Sequence, residues 1–214
     1  SDPAVILRST AVFVFAAGAL ALFAGVALHG RSPGLSDETE HLRRMKDREL
    51  SPHPVRDVGI EWFTTLPHHP SMDVRTRIED QGVRVQGSVQ RIELSGDGDL
   101  HLEFVTRPRQ PSDRDTAYLV AEISQLLRRE ARGWAYDSLL VAFRPNHGGR
   151  TTWAEGTRRV RLTGWPNYDH PYDRPVSSWS LLNSAPRLTG WEIHPVTRIE
   201  LWDDRTGTWQ ELRR

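Results

Sequence analysis

The stretch RLTGWEIHPVTRIELW, residues 187–202, reads as one long β-strand with an interruption in it. Trp191, Ile193, Thr197, Ile199 and Leu201 alternate with Glu192, His194, Arg198 and Glu200. That period of two is the mark of a strand with one face on a core. Pro195 falls in the middle. It cannot donate a ladder hydrogen bond, so it marks an edge or a bulge and fixes the backbone beside His194. The group Glu192-x-His194-Pro195 is therefore either architecture or a site. The pentapeptide RLTGW also occurs at 161–165. Five residues are too few to establish a duplication. Gly164 and Gly190 instead suggest kinks or close backbone approaches in curved strands, with Trp165 and Trp191 covering the ends.

Working outward, the chain supplies four more strands. GVRVQGSVQRIEL, 82–94, carries Val83, Val85, Gly87 and Val89 on one parity and Ile92 and Leu94 on the other. A parity switch predicts a bulge, which lets one strand serve two sheets. SGDGD is a tight turn. LHLEF, 100–104, points Leu100, Leu102 and Phe104 inward and His101 and Glu103 outward. AYLVAEI, 117–123, is the next strand, SQLLRREARG a short helix ending at Gly133, and RRVRLTGW, 158–165, the strand before the last. A coiled first strand, a hairpin, a third strand, a helix and two final strands follow the order of an OB-fold barrel. The expected fold is mainly β: an OB-like five-stranded barrel with one short helix, preceded by a single N-terminal transmembrane helix.

DGDLHLEF and GWEIHPVTRIEL together resemble the paired motifs of a family of uncharacterised, mostly secreted bacterial OB-like domains, in which a D-G-D-x-H strand precedes an E-x-H-P-V strand. The resemblance spans roughly 82–201. It implies the fold and an extracytoplasmic address, and no established reaction. The insert between Trp134 and Gly156 and the apolar N-terminal run depart from that pattern.

That run, AVFVFAAGALALFAGVAL at 11–28, is eighteen residues without a charge, the length of a membrane span. A cleavable signal peptide would want a richer basic start than Arg8. Ala17, Ala21 and Gly25 lie four apart and make a smooth stripe that lets another helix approach closely. His29, four after Gly25, has a faint likeness to pigment-ligating histidines of photosynthetic antenna polypeptides. The expected organisation is an anchor over 1–33, a juxtamembrane helix and Pro/His-rich linker over 34–80, and the barrel over 81–214. In the helix, Ser36 can cap, and acids precede bases as the helix dipole favours. SPHPVRDVGIEWFTTLPHHPSMD then reads as an extended connector holding Trp62 and Phe63. His53, His68 and His69 lack the spacing of a regular metal site.

The formal charge of the 214-residue chain is zero, so no basic field draws it to nucleic acid. It has no cysteine, which excludes disulfides and thiolate metal sites. Lys46 is the single lysine. Its eight tryptophans suggest core or interface anchors. The loop between the RLTGW copies carries Tyr168, His170, Tyr172 and Trp179, with Asp169, Asp173 and Arg174 able to hold a ligand.

These features point to a non-enzymatic single-pass subunit of a bacterial inner membrane, its barrel on the periplasmic side. It would dock on a larger membrane complex, for example a photosynthetic reaction-centre and light-harvesting assembly. The expected contacts are Ala17, Ala21, Gly25, Trp62, Phe63, Tyr168, Tyr172 and Trp179, with other membrane subunits and the lipid bilayer as partners and no cofactor, metal or nucleic acid. The alternative is a metal-dependent hydrolase or ligand-binding domain using His101, Glu192 and His194, with Glu103 as a further carboxylate. A nucleic-acid-binding OB-fold is the third reading.

Overall fold

The computed structural model describes residues 33–107, 117–129, 134–143, 145–146, 150–151, 158–173 and 187–213. The chain divides into two compact units, 1–38 and 39–214. Of the first only the opening of a helix is described, and the apolar run 11–28 with Ala17, Ala21, Gly25 and His29 lies outside the described residues. No helix among the described residues is long and apolar enough to cross a membrane.

The second unit is mainly β. Its elements in chain order are α1 (Pro33–Lys46, from residue 39 on), β1 (Val55–Val58), a 3-10 turn (Ile60–Thr65), α2 (Met72–Glu79), β2 (Gly82–Leu94), β3 (Leu100–Val105), β4 (Tyr118–Ile123), α3 (Gln125–Arg129) and α4 (Tyr136–Phe143). The short strands β5 (Pro145–Asn146) and β6 (Arg150–Thr151) follow, then β7 (Val160–Tyr168), a second 3-10 turn (His170–Tyr172), β8 (Arg187–Asp203) and β9 (Thr208–Glu211). Among the described residues nine strands share one hydrogen-bonded sheet.

β2 is its hub. Val83 to Gly87 pair with β7, and Ser88 to Leu94 pair with β3, with a bulge between Val89 and Arg91. This is the parity switch of the sequence made physical: the extra residue turns Val89 and Ile92 to the same interior, leaving them 1 % and 2 % exposed. From β3 the pairing runs antiparallel to β4, parallel from β4 to β8, and antiparallel from β8 to β7, which returns to β2. The five pairings make a closed cycle. The core draws on all five strands, with Leu100, Leu102, Phe104, Leu119, Ile123, Leu162, Ile193 and Ile199 fully buried.

Two glycines are required by close approach. A Cβ on Gly87 would stand 2.3 Å from the Val105 carbonyl oxygen, and one on Gly164 would stand 2.4 Å from that of Pro195. The second sits at the register shift of β7 against β8, as the kink reading of RLTGW requires.

The connector reading of the Pro/His-rich stretch needs correction. β1 adds to β2 in parallel, from Val55 opposite Gly82 to Val58 opposite Val85. Phe63 is fully buried in the main core, Trp62 packs on its margin, and α2 lies against β7. The prolines and histidines gave the stretch a loop composition. Its few large apolar side chains decide its position, because the exposed edge of β2 and the core mouth can bury them. α1 is likewise docked, with Met45 and His41 buried.

Candidate functional site

β8 places Glu192 and His194 two residues apart and so on one face, opposite the core residues Trp191 and Ile193. Register fills in the neighbours. β3 sets His101 opposite Glu122 of β4, β4 sets Val120 opposite Glu192, and β7 sets Asn167 opposite Glu192. Polar side chains from four strands thus form a patch on the outer face of the sheet. An outward face would normally be solvated, but here Glu192 is 1 % and His194 0 % exposed. The turn before β3 brings Asp99 over them, α1 brings Lys46, and the start of β8 brings Arg187.

His194 is the centre. Its Nδ1 stands 2.9 Å from Glu122 Oε2 and 3.1 Å from Glu192 Oε1. Its Nε2 stands 3.4 Å from Asp99 Oδ2, without the alignment of a hydrogen bond, and has no hydrogen-bond partner. Glu192 is held from behind: Asn167 Nδ2 donates to Oε1 at 2.8 Å and Arg187 Nη2 to Oε2 at 2.9 Å. Arg187 also reaches Asp169 at 3.3 Å. Asp99 accepts from the backbone N–H of Gln125 at 2.6 Å, where α3 begins. Glu122 is shared with His101, 3.1 Å from its Nδ1.

Burial alone would discharge these groups. For His194 burial is outweighed by Asp99, Glu122 and Glu192, which hold the imidazolium well above the usual histidine range. Burial likewise works against the Glu122 carboxylate, but His101 and His194 keep it below the ordinary value. Asp169 goes the other way. Burial, with repulsion from Glu192, pushes it up to about 6. Burial also pushes the Tyr118 hydroxyl up to about 12, which keeps it a proton donor.

The cluster opens into a cleft of about 410 Å³ lined by Lys46, Asp97, His101, Tyr118, Glu122, Asp169, Tyr172 and Arg187 among others. No family model and no curated protein sequence matches the chain. The two motifs DGDLH and EIHPV nevertheless meet in space: Asp99, His101, Glu192 and His194 belong to one connected group through Glu122.

The residues singled out from the sequence are distributed as follows. His101, Glu192 and His194 come together. Glu103 does not join them, being bound to Gln90 at 2.9 Å and Arg91 at 3.3 Å. Phe63 and Tyr168, expected to face a partner, are core side chains at 0 % and 2 % exposure, because each finds apolar neighbours to bury against. Trp62 is half-buried beside Phe63 and Arg56. Tyr172, at 45 % exposure, lines the cleft and stacks under Arg187. Trp179 and Arg174 lie outside the described residues. His68 and His69 gather on Asp173, 2.6 and 3.5 Å away, while His53 stands exposed elsewhere. Sequence reasoning missed Asp99, Glu122, Asn167, Arg187 and Lys46 as members of this group. The one available signal was Glu122, a lone acid inside the apolar strand YLVAEI, whose cross-strand partner is the lone histidine of LHLEF.

Proposed function

We propose that the chain is a single-pass membrane protein whose extramembrane domain is an OB-like barrel acting as a binding module, with the cleft lined by Lys46, His101, Glu122 and Arg187 as its site and no reaction of its own. The barrel reading is supported by the cycle β2–β3–β4–β8–β7, its bulged first strand and its single parallel pair. The anchor reading rests on the uncharged run 11–28, with the barrel on the periplasmic side of a bacterial inner membrane.

The observation that carries the binding reading is a set of buried, mutually opposed charges under a cleft of ligand size. Charged side chains are kept out of water at a cost, and grouping them at the floor of a cavity is how a site is prepared for a polar ligand. Docking onto a larger membrane assembly remains the setting we propose for the anchor. It draws less support from the barrel, since Phe63 and Tyr168 point inward. The zero net charge and the acidic floor of the cleft speak against nucleic acid.

One observation favours a hydrolytic alternative: Asp169 near 6 beside an ionised Glu122 is a pair of carboxylates pushed apart, as an acid and a base would be. Mass spectrometry under native conditions on the full chain, taken in detergent from its own membrane, separates the readings. Binding predicts an extra mass that denaturation releases and that Glu122→Gln lacks. A bare chain contradicts it. A bound molecule that is cleaved on incubation, and is left whole by Asp169→Asn, moves the assignment to a hydrolase.

A further inference from the structure

We propose that Asp99, Glu122 and His194 form a binding site for one first-row divalent metal ion, zinc being the best fit, and that Glu192 is not a ligand but the carboxylate that orients His194. The inference deepens the binding reading of the cleft and rests on it.

The geometry has three parts. First, one ligand atom from each of Asp99, Glu122 and His194 lies within 4.8 Å of the other two. Atoms bonded to one zinc ion at about 2.0–2.2 Å each stand within roughly 4.4 Å of one another, so the three groups close the site by drawing in, with Glu122 leaving His194 Nδ1 for the ion. Second, His194 Nε2 is fully buried, has no hydrogen-bond partner, and stands 3.4 Å from Asp99 Oδ2. A buried ring nitrogen left unpaired costs stability unless something occupies its free direction. Third, the opposite nitrogen Nδ1 faces two carboxylates, Glu122 at 2.9 Å and Glu192 at 3.1 Å, of which Glu192 is fixed by Asn167 and Arg187 and stays when Glu122 turns to the ion. A carboxylate on one imidazole nitrogen, holding the ring so that the other nitrogen faces an ion, is the usual arrangement around a metal-ligating histidine. The spacing Glu-x-His on a strand delivers it, because both side chains leave the same face.

Donor chemistry selects the ion. One imidazole with two carboxylates and no thiolate suits zinc or manganese, whereas magnesium and calcium prefer all-oxygen shells. Two carboxylates balance the ion's charge. Lys46, with Nζ 3.9 Å from Asp99 Oδ2, supplies a positive charge at the same place and competes with the ion for it.

The test is calorimetric titration of the chelator-treated full chain in detergent with zinc chloride and, separately, magnesium chloride near neutral pH. One zinc per chain is expected, with magnesium far weaker. Asp99→Asn and His194→Gln should each weaken zinc by at least about 100-fold, and Glu192→Gln by about 10–100-fold as an orienting residue. Lys46→Met should tighten it. The His68→Gln/His69→Gln double variant should bind as the wild type does. Should His194→Gln fail to fold, Asp99→Asn and the visible spectrum of the cobalt-loaded wild type carry the test, with imidazole ligation expected. No saturable zinc uptake overturns the proposal, as does equal binding of magnesium, unchanged binding by Asp99→Asn, or loss confined to the His68/His69 double variant. A chain that holds an organic molecule in the cleft but takes up no zinc refutes the ion and leaves the cleft reading standing. A chain that takes up neither refutes both.

Discussion

Two fully buried charge centres, Glu79 and His194, are built in opposite ways. Glu79 is one acid surrounded by donors: Arg75 Nε at 2.8 Å, His41 Nε2 at 2.5 Å and the backbone N–H of Tyr168 at 3.1 Å. Arg44 donates to the other nitrogen of His41, which leaves Nε2–H for the carboxylate. Each Glu79 oxygen is taken. The knot ties α1 and α2 to β7. His194 is one base surrounded by three acids, with a ring nitrogen that makes no hydrogen bond and with its partner Glu122 lining a cleft. A central group whose own atoms are all bonded is what architecture requires. A central group with one of its own nitrogens left over beside a cavity is what a ligand requires. Burial alone does not separate the two, since both residues are at 0 % exposure. Unused hydrogen-bonding capacity on the central side chain itself does.

The largest effect is expected at the architectural centre. Glu79→Gln leaves Arg75, 2 % exposed, without its carboxylate, and should cost roughly 3–5 kcal/mol in urea unfolding while leaving zinc binding by the folded fraction unchanged. Weaker zinc binding in this variant would join the two centres and break the comparison.

His194→Gln should cost less, about 1–3 kcal/mol, because each acid around it keeps another partner: Arg187 for Glu192, His101 for Glu122, Gln125 for Asp99. The pH dependence sharpens this. A histidine raised above 6.5 contributes stability that is complete below 6.5 and is lost as pH rises through its folded value. Unfolding of the ion-free wild type should therefore become easier on the alkaline side, and the His194→Gln variant should lack that decline. Parallel pH profiles would show that His194 carries no buried charge.

Asp169→Asn should act in the opposite direction. The carboxyl rises from 3.8 to about 6 on folding, so the folded state takes up its proton more readily and stability falls as pH rises through that window. Above it, the variant should be more stable by about 1–2 kcal/mol, after allowing for partial solvent exposure, and its profile between pH 4 and 6 should be flatter. A loss of stability at neutral pH would place Asp169 with the architecture.

The smallest effect concerns Glu103, on the same strand face as His101 but bound to Gln90 and Arg91. Glu103→Gln should leave zinc affinity within error of the wild type and shift stability by about 1 kcal/mol or less. A clear loss of zinc would extend the site along β3.

Much of the sheet was legible because its strands obey period two. The parity switch in 82–94 located the bulge at Val89 and Arg91, and Gly164 marked the approach of Pro195. The docking of 51–79 was not legible. Composition there is that of a loop, and the deciding fact, an open edge on β2, is a property of the tertiary structure. For the site, the Glu192-x-His194 spacing was visible but its burial was not. Alternation assigns polar residues to the solvent side, and only the turn carrying Asp99 and the helix carrying Lys46 show that this side is covered. Asn167, Glu122 and Arg187 enter through cross-strand register, which a single sequence does not print.

The most direct measurement is anomalous diffraction from crystals of the full chain soaked in zinc, recorded on both sides of the zinc absorption edge. The account predicts a peak bonded to His194 Nε2 and to carboxylate oxygens of Asp99 and Glu122, with Glu192 still on Nδ1. A peak on His68, His69 and Asp173 alone, or a zinc-free His194 whose Nε2 is paired with another group of the protein, would contradict it.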